Sequence, residues 1–229
     1  MDQQFRDVVD ALWERIMVVM DGDDGEACAG HLRTACQKCL FAEERFKSLS
    51  HHVIEYKKQL DRREILDSLH LAMDYEHLLI SLRNSIDNLS ELIGCVLVLE
   101  KTDGLLVQHD NVGLREIVAF MKASDDLQKN SFLYKLMFYL NKQLNQGWYK
   151  DLMDPAVIIS HDRFGQYPRV SARSIDRQLL DFTFILRDTT GDGSVGGHII
   201  PYCSGLIDNI KNALKDSFVL IDDYLAHQS

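Results

Sequence analysis

Four residues of the types that bind zinc lie within twelve positions near the amino terminus, and they are Cys28, His31, Cys36 and Cys39. Thiolate and imidazole groups are the usual zinc ligands, and the spacing of Cys36 and Cys39 is one that zinc sites use. If the stretch is one helix, the four residues spread over more than about 15 Å of its axis, so they cannot all reach one ion. The pattern favours buried packing cysteines, and neither a metal nor another cofactor is expected. A metal-dependent enzyme or sensor at these residues is an alternative.

A second polar group lies in the middle of a long helical pattern, in the stretch Leu82–Leu89 with the sequence LRNSIDNL. This stretch resembles the helical signature of HEPN-like proteins, a family of small all-α domains that includes many ribonucleases and toxin or phage-defence components. The active signature of that family is an arginine, usually followed by a polar residue, and a histidine four to six positions later. Arg83 matches the arginine and Asn84 the polar residue, whereas Asn88 occupies the histidine position.

The resemblance implies a two-fold homodimer in which the arginine and histidine stabilise and protonate an RNA phosphate during attack by the 2′-hydroxyl. Asparagine cannot act as a general acid or base at neutral pH, so Asn88 fits a member that binds without cleaving. His161 is the other candidate, as a distal catalytic group. In a purely structural interpretation, Arg83 and Asp87 are four residues apart on a helix and form an ordinary surface ion pair.

Other arginine–histidine pairs lie six or seven positions apart and so fit that spacing loosely. They are Arg45 with His51 or His52, and Arg63 with His70. A chain with 9 His and 25 Lys and Arg residues contains such pairs by chance, so spacing alone does not select among them.

Long helices are expected because no proline precedes Pro155, and proline disfavours a helix interior by about 3 kcal/mol. The hydrophobic spacing predicts helices at residues 2–20, 26–60, 62–99, 114–122, 125–146 and 202–227, with a break in the second near residues 48–50. In the third helix, apolar residues recur every seven positions from Ile65 to Ile93. This coiled-coil-like seam suits either an antiparallel hairpin with the neighbouring helix or a dimer interface.

The predicted fold class is all-α, with a long antiparallel helical hairpin packed against shorter helices. We expect a single domain comprising a helical core at 1–147, an irregular segment at 148–200 and a final helix at 201–229. The irregular segment contains two of the three prolines and the glycine-rich tract 191–197, and residues 178–200 are candidates for a small β-hairpin. That tract lacks the Lys-Ser/Thr of a phosphate loop, so a surface loop is expected.

Composition limits the partners. The formal net charge is −10, which argues against a broad non-specific grip on nucleic acid but leaves room for a local basic site. The longest apolar run, Leu92–Leu99, is far shorter than the roughly 20 residues that span a bilayer, and the first residues do not resemble a signal peptide. The cysteine count of five is odd, so a disulfide framework is not expected. A cytoplasmic protein without membrane association is expected.

The leading hypothesis is a HEPN-like homodimer of a defence or toxin–antitoxin type, acting on RNA or as a partner-binding subunit. If it is an enzyme, it is a metal-independent endoribonuclease. The alternative is a non-enzymatic adaptor that binds another protein through its long heptad face.

Overall fold

The computed structural model describes residues 3–20, 22–62, 69–98, 113–125, 129–150, 152–153, 169–175, 178–187 and 194–228. Its long helices are α1 (Gln3–Val19), α2 (Gly22–Arg62), α3 (Leu69–Val98), α4 (Leu114–Ala123), α5 (Ser131–Leu144) and α6 (Ile199–Leu225). Helices make up most of the described chain, and the predicted all-α class is confirmed. Within the parts that the structure describes, no helix combines the length and apolar character needed to cross a bilayer.

A small sheet interrupts the helices. Strands β1 (Arg169–Ile175), β2 (Gln178–Arg187) and β3 (Ser194–His198) form an antiparallel sheet in the order β1-β2-β3, with an irregularity in register between Arg173 and Ser174. These strands lie in the segment 148–200, and β2 with β3 forms an antiparallel pair where the sequence suggested a small hairpin at 178–200; β1 extends that pair to three strands. Residues 148–150, at the start of that segment, are helical. Residues 154–168, which include His161, lie outside the described residues.

Helix α2 runs without a break through residues 48–50, where the sequence predicted one. Serine can compete with a helix by bonding to its backbone, but here the hydroxyls bond in ways that the helix accommodates. Ser50 Oγ donates to the Phe46 carbonyl oxygen at 2.8 Å, and Ser48 Oγ donates to the carboxylate of Asp74 on α3 at 2.7 Å. Both serines therefore remain within the helix.

The turn between α1 and α2 depends on two glycines. Gly22 has φ of 62°, which side-chain-bearing residues rarely adopt. A Cβ atom at Gly25 would collide with the backbone carbonyl of Met20. Because α2 begins at Gly22, the acidic residues Asp23 and Asp24 lie in its first turn, where negative charge favours the helix.

Two compact units emerge from the contacts of the chain. Unit 1 comprises Met1–Cys39, Asn84–Tyr149 and Ile210–Ser229, and unit 2 comprises Leu40–Arg83 and Lys150–Asn209. The boundaries fall inside α2, α3 and α6, so each of these helices contributes to both units. The single helical domain expected from the sequence stays a prediction.

Unit 1 is held together by contacts to the end of α6. The ring of Phe218 packs edge-on against that of Phe5 on α1, with centroids 6.1 Å apart. Arg15 Nε donates to Asp222 Oδ1 at 2.6 Å, which adds a partly exposed ion pair between the same two helices. Tyr139 on α5 donates its hydroxyl to Asp216 Oδ2 at 2.9 Å. Burial, followed by this bond to a carboxylate, raises the pKa of the Tyr139 hydroxyl.

The heptad seam of α3 is buried inside the chain. The seam residues described as buried are Tyr75, Leu79 and Leu82 in unit 2 and Ile86, Leu89, Ile93 and Val96 in unit 1. In unit 1, Ser85 Oγ donates to the Ala35 carbonyl oxygen at 2.6 Å, which places α2 directly beside this part of α3. The seam therefore serves packing within the chain rather than an open dimer interface.

Replacing Phe218 with alanine is expected to lower the free energy of unfolding by about 3–5 kcal/mol, because the ring is fully buried and leaves a cavity beside Phe5. The matched control is Phe138→Ala, which removes the same atoms from a side chain that is 61% exposed and should cost about 0.5 kcal/mol or less. Urea unfolding of both variants measures the difference. An equal decrease in the free energy of unfolding in the two variants would contradict the placement of Phe218 in the core.

Candidate functional site

A buried aspartate on α3 gathers three polar side chains of α2 within unit 2. Ser48 Oγ donates to Asp74 Oδ2 at 2.7 Å, and His52 Nδ1 lies 2.7 Å from the same oxygen. Arg45 Nη1 lies 3.6 Å from the other oxygen, Oδ1. The Asp74 side chain is only 8% exposed, so these contacts replace most of its water. We call Arg45, Ser48, His52 and Asp74 the Asp74 cluster.

Helix geometry explains why these residues meet. Positions 45, 48 and 52 follow the three- and four-residue spacing that places side chains on one face of a helix. On α3, Asp74 lies among the buried residues Leu71, Tyr75 and Leu78, so its carboxylate faces inward with the apolar seam. An ionised carboxylate in such surroundings is strongly disfavoured unless it is paired and hydrogen-bonded. The polar face of α2 supplies those partners.

The contact between His52 and Asp74 orients the imidazole ring for proton transfer. A carboxylate can only accept a hydrogen bond, so Nδ1 carries the proton and Nε2 of the neutral ring has a free electron pair. The His52 side chain is 35% exposed. The ring of His70, an exposed residue of α3, lies with its centroid 5.6 Å from that of His52. Two neighbouring imidazoles, of which His52 is bonded to a carboxylate, form an arrangement suited to general acid–base catalysis.

Arg45 adds a positive charge at the edge of the cluster. Its nearest atom to Asp74 is beyond hydrogen-bonding distance, and the side chain is 36% exposed. A guanidinium has five N–H donors in a planar fork that matches phosphate and carboxylate oxygens. Its Cζ atom also lies 4.7 Å from the ring centroid of Phe41, one turn earlier on α2. The cluster thus combines a cation for an anionic ligand with a base for proton transfer.

The residues singled out by the family signature lie elsewhere on α3. Arg83, Asn84 and Asn88 are all half-buried. Asn88 Nδ2 donates to the Asn84 carbonyl oxygen at 2.8 Å, and Asn88 Oδ1 lies 3.4 Å from Nδ1 of His31 on α2 in unit 1. A histidine therefore does approach Asn88, but it comes from another helix rather than from the signature itself. His161 lies outside the described residues, so its place in a site stays a prediction.

The cysteines near the amino terminus pack in unit 1. Cys28, Cys36 and Cys39 are buried along α2, and Cys28 donates a hydrogen bond to Cys95 on α3. Among the described residues, no three histidine, cysteine, aspartate or glutamate side chains converge closely enough to hold a metal ion. The side chains of Cys28, His31, Cys36 and Cys39 are all described, so the zinc alternative finds no support in this geometry.

The thiols of Cys28 and Cys95 should differ sharply in their rate of alkylation. The bond from Cys28, the largest contribution, lowers the pKa of Cys95, while that bond and burial raise the pKa of Cys28. Cys95 is partly exposed and Cys28 fully buried. Because the thiolate is the nucleophile, iodoacetamide should modify Cys95 first, and the rate of modification should rise at lower pH for Cys95 than for Cys28.

Peptide mass spectrometry of the partly alkylated native protein measures this order. The control is the urea-unfolded chain, in which both thiols should react at the same rate. Burial also raises the pKa of Cys36, to about 12, so that thiol should stay unmodified in the native protein. Modification of Cys28 as fast as Cys95 in the folded protein would contradict the described pair.

Comparison with known proteins does not assign the site. No protein-family model, curated protein or solved structure matches the chain. A function for this protein therefore has to be derived from the contacts of its own residues, and the Asp74 cluster offers the most complete set of chemical groups.

Proposed function

We propose that this protein is a HEPN-like, metal-independent endoribonuclease in which Arg45 and His52 act on an RNA phosphate. The observation that carries this proposal is the bond at 2.7 Å between His52 Nδ1 and the buried carboxylate of Asp74, beside the partly exposed Arg45. His52 follows Arg45 by seven positions, one more than the signature spacing, and the apolar Phe46 stands where the signature has a polar residue. The pair also has what the Arg83–Asn88 stretch lacks, a histidine that follows the arginine on the same helix.

The reaction follows from the positions of these groups. Arg45 donates hydrogen bonds to the non-bridging phosphate oxygens and stabilises the charge that grows on them. His52 Nε2 takes the proton of the 2′-hydroxyl as its oxygen attacks phosphorus. The bond from phosphorus to the 5′-oxygen breaks, a 2′,3′-cyclic phosphate forms, and the departing oxygen takes a proton from His70. Asp74 holds the His52 ring and stabilises its protonated form.

Local charge supports an anionic substrate in spite of the acidic chain. Residues 45–63 contain six Lys or Arg residues and two Asp or Glu residues, whereas the whole chain has a formal net charge of −10. A basic stretch that also carries the chemical groups is the electrostatic pattern of a nucleic-acid contact. Because phosphate contacts displace counterions, binding should weaken with added salt.

Replacing His52 with alanine is expected to lower the rate of RNA cleavage by about 10²–10⁴-fold, since a positioned acid–base group contributes that much. The assay is cleavage of total RNA by purified protein, with and without EDTA, which should have no effect. The control is His77→Ala, because His77 is an exposed histidine of α3 that does not belong to the Asp74 cluster. Full activity of the His52 variant would contradict the assigned role.

Arg83→Ala separates the two possible sites in the same assay. Near-normal cleavage by this variant, with cleavage lost in Arg45→Ala, is the expected result. The reverse pattern would assign the chemistry to the stretch that contains Arg83, Asn84 and Asn88. If neither substitution changes the rate of cleavage, the activity arises neither at Arg45 and His52 nor at the stretch that contains Arg83.

A second candidate function is partner binding, as a homodimer or as an adaptor for another protein. It is favoured by exposed apolar pairs one helical turn apart, namely Trp13 with Met17 on α1 and Tyr134 with Phe138 on α5. The heptad face named in the sequence-based hypothesis is buried, so a partner would have to use faces such as these. Pairs of this kind are typical of contact surfaces when they join into a patch.

Dimerisation through α5 predicts a concentration-dependent association that the double substitution Tyr134→Ser, Phe138→Ser abolishes. Sedimentation velocity over a hundred-fold range of concentration measures it. Trp13→Ser, Met17→Ser is the matched double variant on α1, and it should leave the association unchanged. A monomeric wild-type protein at every concentration would rule out the homodimer.

A further inference from the structure

We infer that the proposed ribonuclease acts on single-stranded RNA and stacks an unpaired base on Phe41. This inference rests on the proposed function, because it concerns the substrate of the same site. The observation that carries it is an exposed aromatic ring next to the cation that would hold the phosphate. The Phe41 side chain is 41% exposed, and the Arg45 guanidinium lies 4.7 Å from its ring centroid.

The positions on α2 continue the face of the Asp74 cluster. Residues 41, 45, 48 and 52 follow one another at intervals of four, three and four, so they line the same side of the helix. Four residues advance about 6 Å along a helix axis, which brings Phe41 within one nucleotide of a phosphate held by Arg45. All four side chains belong to unit 2 and are described. The cluster and the ring therefore form one continuous surface.

A nucleobase is the ligand that this surface fits. An aromatic ring and an adjacent guanidinium are the side-chain planes on which proteins stack unpaired bases. In an RNA duplex the bases are already stacked and the major groove is too deep and narrow for side chains, so Phe41 could not reach them. A polyanion that lacks bases would contact Arg45 and leave the apolar ring of Phe41 exposed to water. The substrate class is accordingly RNA with at least one unstacked base.

The same α2 face explains why Phe41 differs from other exposed aromatic residues. Phe138 is more exposed, at 61%, but it lies on α5 in unit 1, which does not contain the Asp74 cluster. Val219→Ala is the control, because it shortens an exposed apolar side chain of α6 in unit 1 that has no part in either proposed surface. Phe41→Leu keeps an apolar side chain and removes only the aromatic plane, and Phe41→Trp keeps the plane.

The experiment measures the binding of a fluorescent single-stranded oligouridine with 2′-O-methyl sugars, which cannot be cleaved because the attacking hydroxyl is blocked. Fluorescence anisotropy gives the dissociation constant for the wild type and each variant, after thermal unfolding has shown that they are folded. We expect Phe41→Ala and Phe41→Leu to weaken binding about ten-fold, and Phe41→Trp and Val219→Ala to bind like the wild type.

A second oligonucleotide with abasic central positions tests whether the ring contacts a base. It should bind the wild type about ten-fold more weakly, with no further loss in Phe41→Leu, since the two changes remove the same contact. Equal affinity of the wild type for intact and abasic strands, or for a duplex of the same length, would overturn this inference while leaving RNA binding intact. No binding of any RNA, together with no cleavage, would overturn the proposed function as well.

Discussion

The carboxylate of Asp74 imposes the strictest physical requirement on unit 2. It lies among apolar side chains of α3 with only 8% of its side chain exposed, and a charge in that position must be compensated. Ser48 and His52 supply hydrogen bonds and Arg45 supplies positive charge. Removing one of these partners would leave part of the buried charge uncompensated, so the alignment of α2 on α3 in this unit depends on a polar contact as well as on apolar packing.

The same contact gives the surface its chemical character. A carboxylate that binds Nδ1 leaves Nε2 of His52 for proton transfer, and it draws Arg45 to the edge of the cluster without engaging its N–H groups at hydrogen-bonding distance. Structural and chemical roles therefore coincide in one residue. In the proposed function, a chain with a formal net charge of −10 binds an anion at the basic stretch 45–63, because the position of charged groups matters more than their sum.

Features that depend on short-range patterns could be predicted from the sequence, whereas features that depend on contacts between distant residues could not. The helices were predictable because their apolar residues repeat at short intervals, as in the seam from Tyr75 to Val96. The unbroken course of α2 could not be predicted in this way, because the hydroxyl of Ser48 donates to Asp74 on another helix. Spacing indicated Arg45 with His52 only as one of several pairs. What distinguishes that pair is Asp74, 22 residues further along the chain than His52, and no local pattern joins them.

The proposal that Asp74 accepts a hydrogen bond from His52 Nδ1 and leaves Nε2 as a base is tested by the tautomer of His52. The tautomer reports both the bond to Asp74 and the availability of Nε2. Long-range correlation of ring protons with nitrogens in ¹⁵N-labelled protein distinguishes the two neutral forms of each histidine. We predict that neutral His52 carries its proton on Nδ1, whereas exposed His77 keeps the Nε2–H form that free histidine favours. Neutral His52 in the Nε2–H form would contradict the account, because Nδ1 would then have no proton to donate to Asp74 and Nε2 could not act as a base.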